Sequence, residues 1–306
     1  MARHYLSVDD LTPAELTGLL ELSSKVKADP SAYAERLLGR SVALIFEKPS
    51  TRTRLSFEVG VAELGAHPLV ISSTELQLGR GETIEDTGRV LSRYVDAVVL
   101  RTFEQERLEQ LASASSVPVV NSLSDFEHPC QALADLFTIR ERLGGPGGRT
   151  ITYLGDGNNV AHSLLLAGAK AGMQVRMATP PGFEPIPQVV KRAAEIATET
   201  GGSVEVFHDA IEAATGADVL YTDVWASMGQ EDEVDERELV FRGYQLDQKL
   251  VDLAAPGAIV MHCLPAHRGK EIAAEVIDGP RSAVWDQAEN RLHTQKALLL
   301  FLFDLA

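Results

Sequence analysis

The sequence predicts an α/β protein of two doubly wound parallel-sheet domains facing one cleft, with a C-terminal helix free to pack back on the first domain. Three observations carry this. The chain has 306 residues and is 45% hydrophobic, which is enough for more than one sizeable core. From residue 42 onward, short apolar runs of strand length alternate with longer amphipathic stretches, the pattern of parallel sheets covered on both faces. The alternation is broken by Gly144-Gly145-Pro146-Gly147-Gly148, a domain boundary or hinge that separates a first domain, 1–143, from a second, 150–287.

The elements follow in order. Thr12-Pro13-Ala14-Glu15 has the form of a capping box with proline at the first helical position, and Leu11 and Leu16 stand where a hydrophobic staple closes across it. A helix therefore opens the fold. Val42 to Phe46 reads as a buried strand, and Leu55, Val59 and Ala62 recur at helical spacing after residue 50. His67 to Ile71, Ala97 to Leu100 and Val117 to Val120 read as further strands, with an amphipathic helix from Glu82 to Tyr94. Leu133, Leu136 and Phe137 mark the apolar stripe of the helix that stops at the glycine run. Beyond it, strands are expected at Ile151 to Leu154, Gln174 to Ala178, Val204 to Phe207, Asp218 to Thr222, Ala258 to His262 and Ala283 to Trp285. The last segment, 288–305, reads as helix.

Composition narrows the partners. Lys plus Arg number 28 against 44 Asp plus Glu, a formal net charge of −16, which repels nucleic acid and anionic membranes at long range. A small anionic ligand would need a local basic cluster. The two cysteines, Cys130 and Cys263, have no Cys-x-x-Cys spacing, so neither a disulfide framework nor a metal site is expected and a reducing cytoplasm fits. Asp9, Asp10, Glu15 and Glu21 do not suit a signal or transit peptide. The longest strongly apolar stretch, Ala297 to Phe303, falls far short of the ~20 residues that span a bilayer.

Sheets of this kind gather ligands outside the carboxyl ends of their strands, so polar residues at those ends are the candidates for chemistry. Ser50-Thr51-Arg52-Thr53, entered through Glu47-Lys48-Pro49, joins a strand to a helix. Backbone N–H groups at a helix start, with three hydroxyls and a guanidinium beside them, make an anion pocket. Ser and Thr are also ordinary capping residues, and the segment alone fits a plain helix start equally well. Arg101 follows the strand at 97–100, where a ligand contact and a surface arginine are both at home. His128-Pro129-Cys130-Gln131 precedes a helix, and the proline holds His128 extended. A histidine there is tunable near neutral pH, though a lone histidine also serves in cores.

In the second domain, Gly155-Asp156-Gly157-Asn158-Asn159-Val160 has the look of a dinucleotide-binding turn. The third glycine is absent, and the next strand ends in Met177-Ala178-Thr179-Pro180 with no acid for a ribose hydroxyl, so no nicotinamide or flavin cofactor is expected. Asn159 is then open to another polar ligand or to a helix-capping role. Asp223 with Ser227-Met228-Gly229 follows one strand, and His262-Cys263-Leu264-Pro265 follows another. Asp223 suits an ammonium group, and the Ser-Met-Gly turn suits a carboxylate. Cys263 fits a nucleophile, a polar wall or a small buried hydrophobe. Arg291, near the start of the last helix, can serve as a further anion ligand.

Taken together, Ser-Thr-Arg-Thr at 50–53, His-Pro-Cys-Gln at 128–131, Asp-Val-Trp-Ala-Ser-Met-Gly at 223–229 and His-Cys-Leu-Pro at 262–265 resemble, in order, the aspartate/ornithine carbamoyltransferase family. Ser73-Thr74-Glu75-Leu76-Gln77, Gly155 to Asn159 and Glu289-Asn290-Arg291 extend the resemblance nearly end to end. The 223–229 segment and Cys263 resemble its ornithine branch. The resemblance implies transfer of the carbamoyl group of carbamoyl phosphate to the δ-amino group of L-ornithine, giving L-citrulline and phosphate in arginine biosynthesis. A different acceptor, such as putrescine or N-acetylornithine, is the alternative. It implies carbamoyl phosphate binding by Ser50, Thr51, Arg52, Thr53, Gln77, Arg101, His128, Pro129, Cys130, Gln131, Cys263, Leu264 and Arg291. Ornithine would be held by Asn159, Asp223, Ser227 and Met228, with Cys263, Asp223, His128 and Arg101 catalytic. The first domain would thus bind carbamoyl phosphate and the second ornithine, in a cytoplasmic homotrimer with Gln77 reaching a neighbouring subunit's site and no cofactor or metal.

Overall fold

The structure, a computed structural model, describes residues 2–72, 81–226 and 234–305. Gln77 and the rest of 73–77, like Ser227, Met228 and Gly229, lie outside the described residues. Contacts divide the chain into two units, Met1–Ala134 with Asn290–Ala306, and Asp135–Glu289. The division falls within two helices, and the glycine run at 144–148 belongs to the second unit.

The first unit opens with α1 (Pro13–Ala28), whose Thr12 hydroxyl accepts the Glu15 N–H at 3.2 Å while the Glu15 carboxylate accepts the Thr12 N–H at 2.8 Å. Its sheet comprises β1 (Ser41–Phe46), β2 (His67–Ser72), β3 (Ala97–Arg101) and β4 (Val119–Leu123), all parallel, in the order β2-β1-β3-β4. The chain leaves β1 toward β2 and then returns to its other side, so the topological switch point lies between β1 and β3. The helices are α2 (Thr51–Glu63), α3 (Ile84–Leu91), α4 (Gln105–Ala114) and the start of α5 (Pro129–Leu143).

Helix α2 does not bury the stripe that its sequence suggests. Leu55 and Val59 are exposed, and the inward face is Thr53, Phe57, Gly60 and Val61. The reason is the C-terminal helix α12 (Val284–Leu302), whose 290–302 part belongs to this unit. A Cβ on Gly60 would stand 3.1 Å from Lys296 Cγ and 3.3 Å from a Leu292 methyl, so any larger residue here would press on α12. Lys296 is fully buried and its ammonium reaches Glu63 at 2.7 Å.

The second unit carries β5 (Thr150–Leu154), β6 (Gln174–Ala178), β7 (Ser203–Phe207), β8 (Val219–Thr222) and β9 (Ile259–His262), parallel and in the order β7-β6-β5-β8-β9. Here the switch point lies between β5 and β8. Helices α6 (Asn159–Lys170), α7 (Pro187–Thr200), α8 (Ala210–Ala214), α9 (Val234–Phe241), α10 (Gln248–Leu253) and α11 (Ala274–Ile277) accompany them. The strand expected at Ala283 to Trp285 is not formed. An isolated bridge pairs Ser282 with Val260, Ala283 N–H donates to the Val260 carbonyl at 2.8 Å, and the chain then enters α12 at Val284.

Candidate functional site

In the first unit the carboxyl end of β1 delivers Glu47 and Lys48 to the start of α2. Ser50 is the extended N-cap, its hydroxyl accepting the Thr53 N–H at 3.3 Å. The cap leaves room for an anion at the same place, because an accepting hydroxyl still has its own proton to donate. Phe46 pairs with Arg101 across the switch point, which brings the nearly buried Arg101 to this end of the sheet. Arg291 comes from α12 and donates to the Thr53 hydroxyl at 2.6 Å, and both side chains are buried.

His128 sits one residue before α5, in a turn that is closely held. Ser124 N–H donates to the Glu127 carbonyl at 2.8 Å, and the buried Glu127 carboxylate accepts the Val8 N–H at 3.1 Å. Burial, and then the charges of Arg291, Arg101 and Arg52, hold the His128 imidazole well below its ordinary pKa. It is neutral at neutral pH and can donate a single hydrogen bond without adding charge. The carboxylate of Glu47, close in sequence to the pocket, is answered by Arg107 through both oxygens and by the Thr102 hydroxyl. Lys48 pairs with Asp125 and lies over the Phe103 ring at 4.3 Å.

Gln131 and Cys130 are also buried, in the first turn of α5. The Cys130 thiol donates to the Asn121 carbonyl at 3.3 Å, and burial pushes it up to about 12. Any part it plays toward an anion falls to its backbone N–H at the helix start rather than to sulfur.

In the second unit the β5 turn runs through Gly155, at φ 141°, and Gly157, where a Cβ would lie 2.2 Å from the Pro185 nitrogen. Asn158, rather than Asn159, caps α6, accepting the Val160 and Ala161 N–H groups at 2.9 and 3.2 Å. Its side-chain NH2 donates to Asp223 at 3.0 Å. Asn159, half-buried, is the first helical residue. The other Asp223 oxygen accepts the Cys263 thiol at 2.9 Å, joining the ends of β8 and β9.

The residues flanking Cys263 are tightly held. The His262 Nδ1 accepts the Leu264 N–H at 2.9 Å, so its proton sits on Nε2 and is donated to Glu271 at 3.2 Å. Burial would push Glu271 up, but the bonds from His262 and from the His267 N–H hold it below the usual carboxylate range. Leu264 adopts φ 59°, a left-handed conformation that a branched residue takes only under constraint. Asp223, His262 and Cys263 place ligand atoms within 4.8 Å of one another, the only such group of metal-donor types among the described residues. Both imidazole nitrogens are already engaged, which leaves a carboxylate and a thiol.

Asn158, Glu127 and Glu271 were not foreseen as supports of the site. Asn158 had a signal in the sequence, since it too stands directly before the helix. The two glutamates had none, because their partners are settled only by the fold.

Two family models match the chain: the aspartate/ornithine carbamoyltransferase carbamoyl-P binding domain over residues 3–141, and the Asp/Orn binding domain of the same enzymes over 147–302. An ornithine carbamoyltransferase of Parafrankia sp. (strain EAN1pec) is 66% identical over 306 residues, covering 99% of this chain and 96% of that protein. One from Acidothermus cellulolyticus is 61% identical over 308 residues, covering 100% and 98%. Among solved structures, ornithine carbamoyltransferase from Pyrococcus furiosus has a TM-score of 0.95 at 53% identity, covering 98% of this chain and 96% of that one.

Proposed function

The chain belongs to the aspartate/ornithine carbamoyltransferase family, and we infer that it moves the carbamoyl group of carbamoyl phosphate to the δ-amino group of L-ornithine. The products are L-citrulline and phosphate. The observation that carries the residue roles is the contrast between the units: a neutral histidine among three guanidiniums in one, and an acid–thiol pair beside a capping asparagine in the other.

The amine attacks the carbonyl carbon, the bond from that carbon to the phosphate oxygen breaks, and the amine gives up a proton. Ser50, Thr51, Arg52 and Thr53, with the N-terminus of α2, hold the phosphate before and after it departs. Arg101 and the neutral His128 donate to the carbonyl oxygen as its charge grows, and Gln131 with the backbone of Leu264 serves the carbamoyl NH2. Arg291 braces Thr53 and adds positive charge. An alkyl ammonium has a pKa near 10.4, so exposing its lone pair at neutral pH costs about 4–5 kcal/mol. Asp223 and Cys263 orient that amine and receive its proton, with Asn159, Ser227 and Met228 holding the rest of ornithine.

The finer expectations belong to the same reading. Exposed Leu55 and Val59 on α2 support a homotrimer, in which Gln77 serves a neighbouring site. A role in arginine biosynthesis and a cytoplasmic location fit the chemistry. Among the described residues, no helix is long and apolar enough to cross a membrane. The deciding experiment assays carbamoyl phosphate with ornithine, N-acetylornithine, putrescine and aspartate in parallel. Citrulline should be the dominant product, and faster turnover of any other acceptor overturns the assignment.

A further inference from the structure

Gln287, in the first turn of α12, is 1% exposed, and its amide is engaged at both ends. Its oxygen accepts the His262 backbone N–H at 2.9 Å. Its nitrogen donates to Asp135 on α5 at 2.7 Å and to the Tyr221 hydroxyl on β8 at 3.1 Å. An amide has two N–H donors, and both have an acceptor here. The β8–β9 ladder ends at the Thr222–His262 pair, so the side chain takes over at the point where the backbone register stops. Tyr221 lies two residues before Asp223, and His262 lies one residue before Cys263.

We propose that Gln287 is a positioning residue for the Asp223–Cys263 pair, fixing the end of β9 against the end of β8 and thereby the approach of thiol to carboxylate. The inference rests on the reading of that pair as the acceptor side of the reaction. A simple packing role would be filled by any apolar side chain of similar length. The observed role would not, because methionine at 287 leaves the His262 N–H and the buried Asp135 carboxylate without the bonds they now have with that side chain.

The test uses the native enzyme and iodoacetamide. The Cys130 thiol is buried, so alkylation reports Cys263. Gln287→Met should lower kcat about tenfold or more while the KM for carbamoyl phosphate moves less than about threefold, and it should displace the pH profile of Cys263 alkylation. A kcat within about twofold of the parent, or a fall in kcat with an unmoved alkylation profile, overturns the proposal. Should that variant fail to fold, Gln287→Glu preserves shape but sets a second carboxylate against Asp135. At mildly alkaline pH it should lose activity, and adding Asp135→Asn, whose amide can donate in the reverse direction, should recover most of it. A double variant no better than the single overturns the proposal. Cys263→Ala tests the underlying reading separately: full activity there would remove Cys263 from the reaction, while the alkylation profiles of the parent and Gln287→Met, which both keep Cys263, would still report what Gln287 holds.

Discussion

A histidine buried among three arginines loses its usual pH sensitivity, and its consequences for stability have a definite sign. His128 stays neutral in the folded chain, whereas the unfolded chain protonates it below about pH 6.5. Above that pH the two states bind the same proton count, and below it the unfolded state gains one. Stability is therefore lost as pH falls, by at most about 1.4 kcal/mol per unit for this group. Denaturant unfolding at neutral pH and near pH 5 should show a gentler loss for His128→Gln than for the parent. Equal losses would mean that the imidazole is protonated in the fold. For the reaction, the ammonium of ornithine is the group that titrates, so kcat/KM for ornithine should climb from neutral toward mildly alkaline pH with no inflection from His128. At Arg52 the effect is one of affinity. Arg52→Ala removes a charged donor to phosphate, and the KM for carbamoyl phosphate should rise about 10- to 100-fold; unchanged saturation would place the phosphate elsewhere.

Helix α2 shows how far an element can be read from its own residues. Its start is legible, because Ser50 caps it as serine does in general and the hydroxyls follow in the first turn. Its buried face is not, because the close approach of α12 at Gly60 selects Phe57 and Val61 over Leu55 and Val59. Gly60→Val should therefore destabilise by about 1–3 kcal/mol and loosen the Arg291–Thr53 bond, seen as a lower denaturation midpoint and weaker carbamoyl phosphate binding. A neutral effect on both would mean that α12 shifts freely. The same limit governs the site at large. Arg101, His128, Asp223 and Cys263 were legible as polar residues at strand ends or helix starts, since open sheets direct ligands there. Gln287 was not, because its partners stand 25, 66 and 152 positions away and only packing brings them together. Ala283 to Trp285, expected as a strand, instead runs into the start of α12 after a single bridge at Ser282, because a few apolar residues look alike at the start of a helix and in a β-strand.

At the scale of the whole molecule, both units follow one rule, each setting its polar residues beyond the carboxyl ends of strands at or beside the switch point of its own sheet, between β1 and β3 and between β5 and β8. That rule explains, within each unit, why polar motifs far apart in sequence come to one end of a sheet, but it leaves the apolar stripe of α2 without a function. Leu55, Val59 and Ala62 recur every three to four residues, so they share one face, and Leu55 is 54% exposed. The net charge of −16 keeps copies apart at long range, so association must rest on short-range apolar burial. Lysine at 55 and 59 would oppose that burial without touching the hydroxyls of the first turn. On the proposed homotrimer reading, Leu55→Lys with Val59→Lys should shift the mass seen by light scattering from trimer toward monomer at micromolar protein. On the proposed reading, in which Gln77 serves a neighbouring subunit, it should also reduce specific activity about tenfold or more. A variant that remains trimeric would show that the assembly uses another face. One that dissociates with full activity would show that each subunit completes its own site and that Gln77 has no part in it.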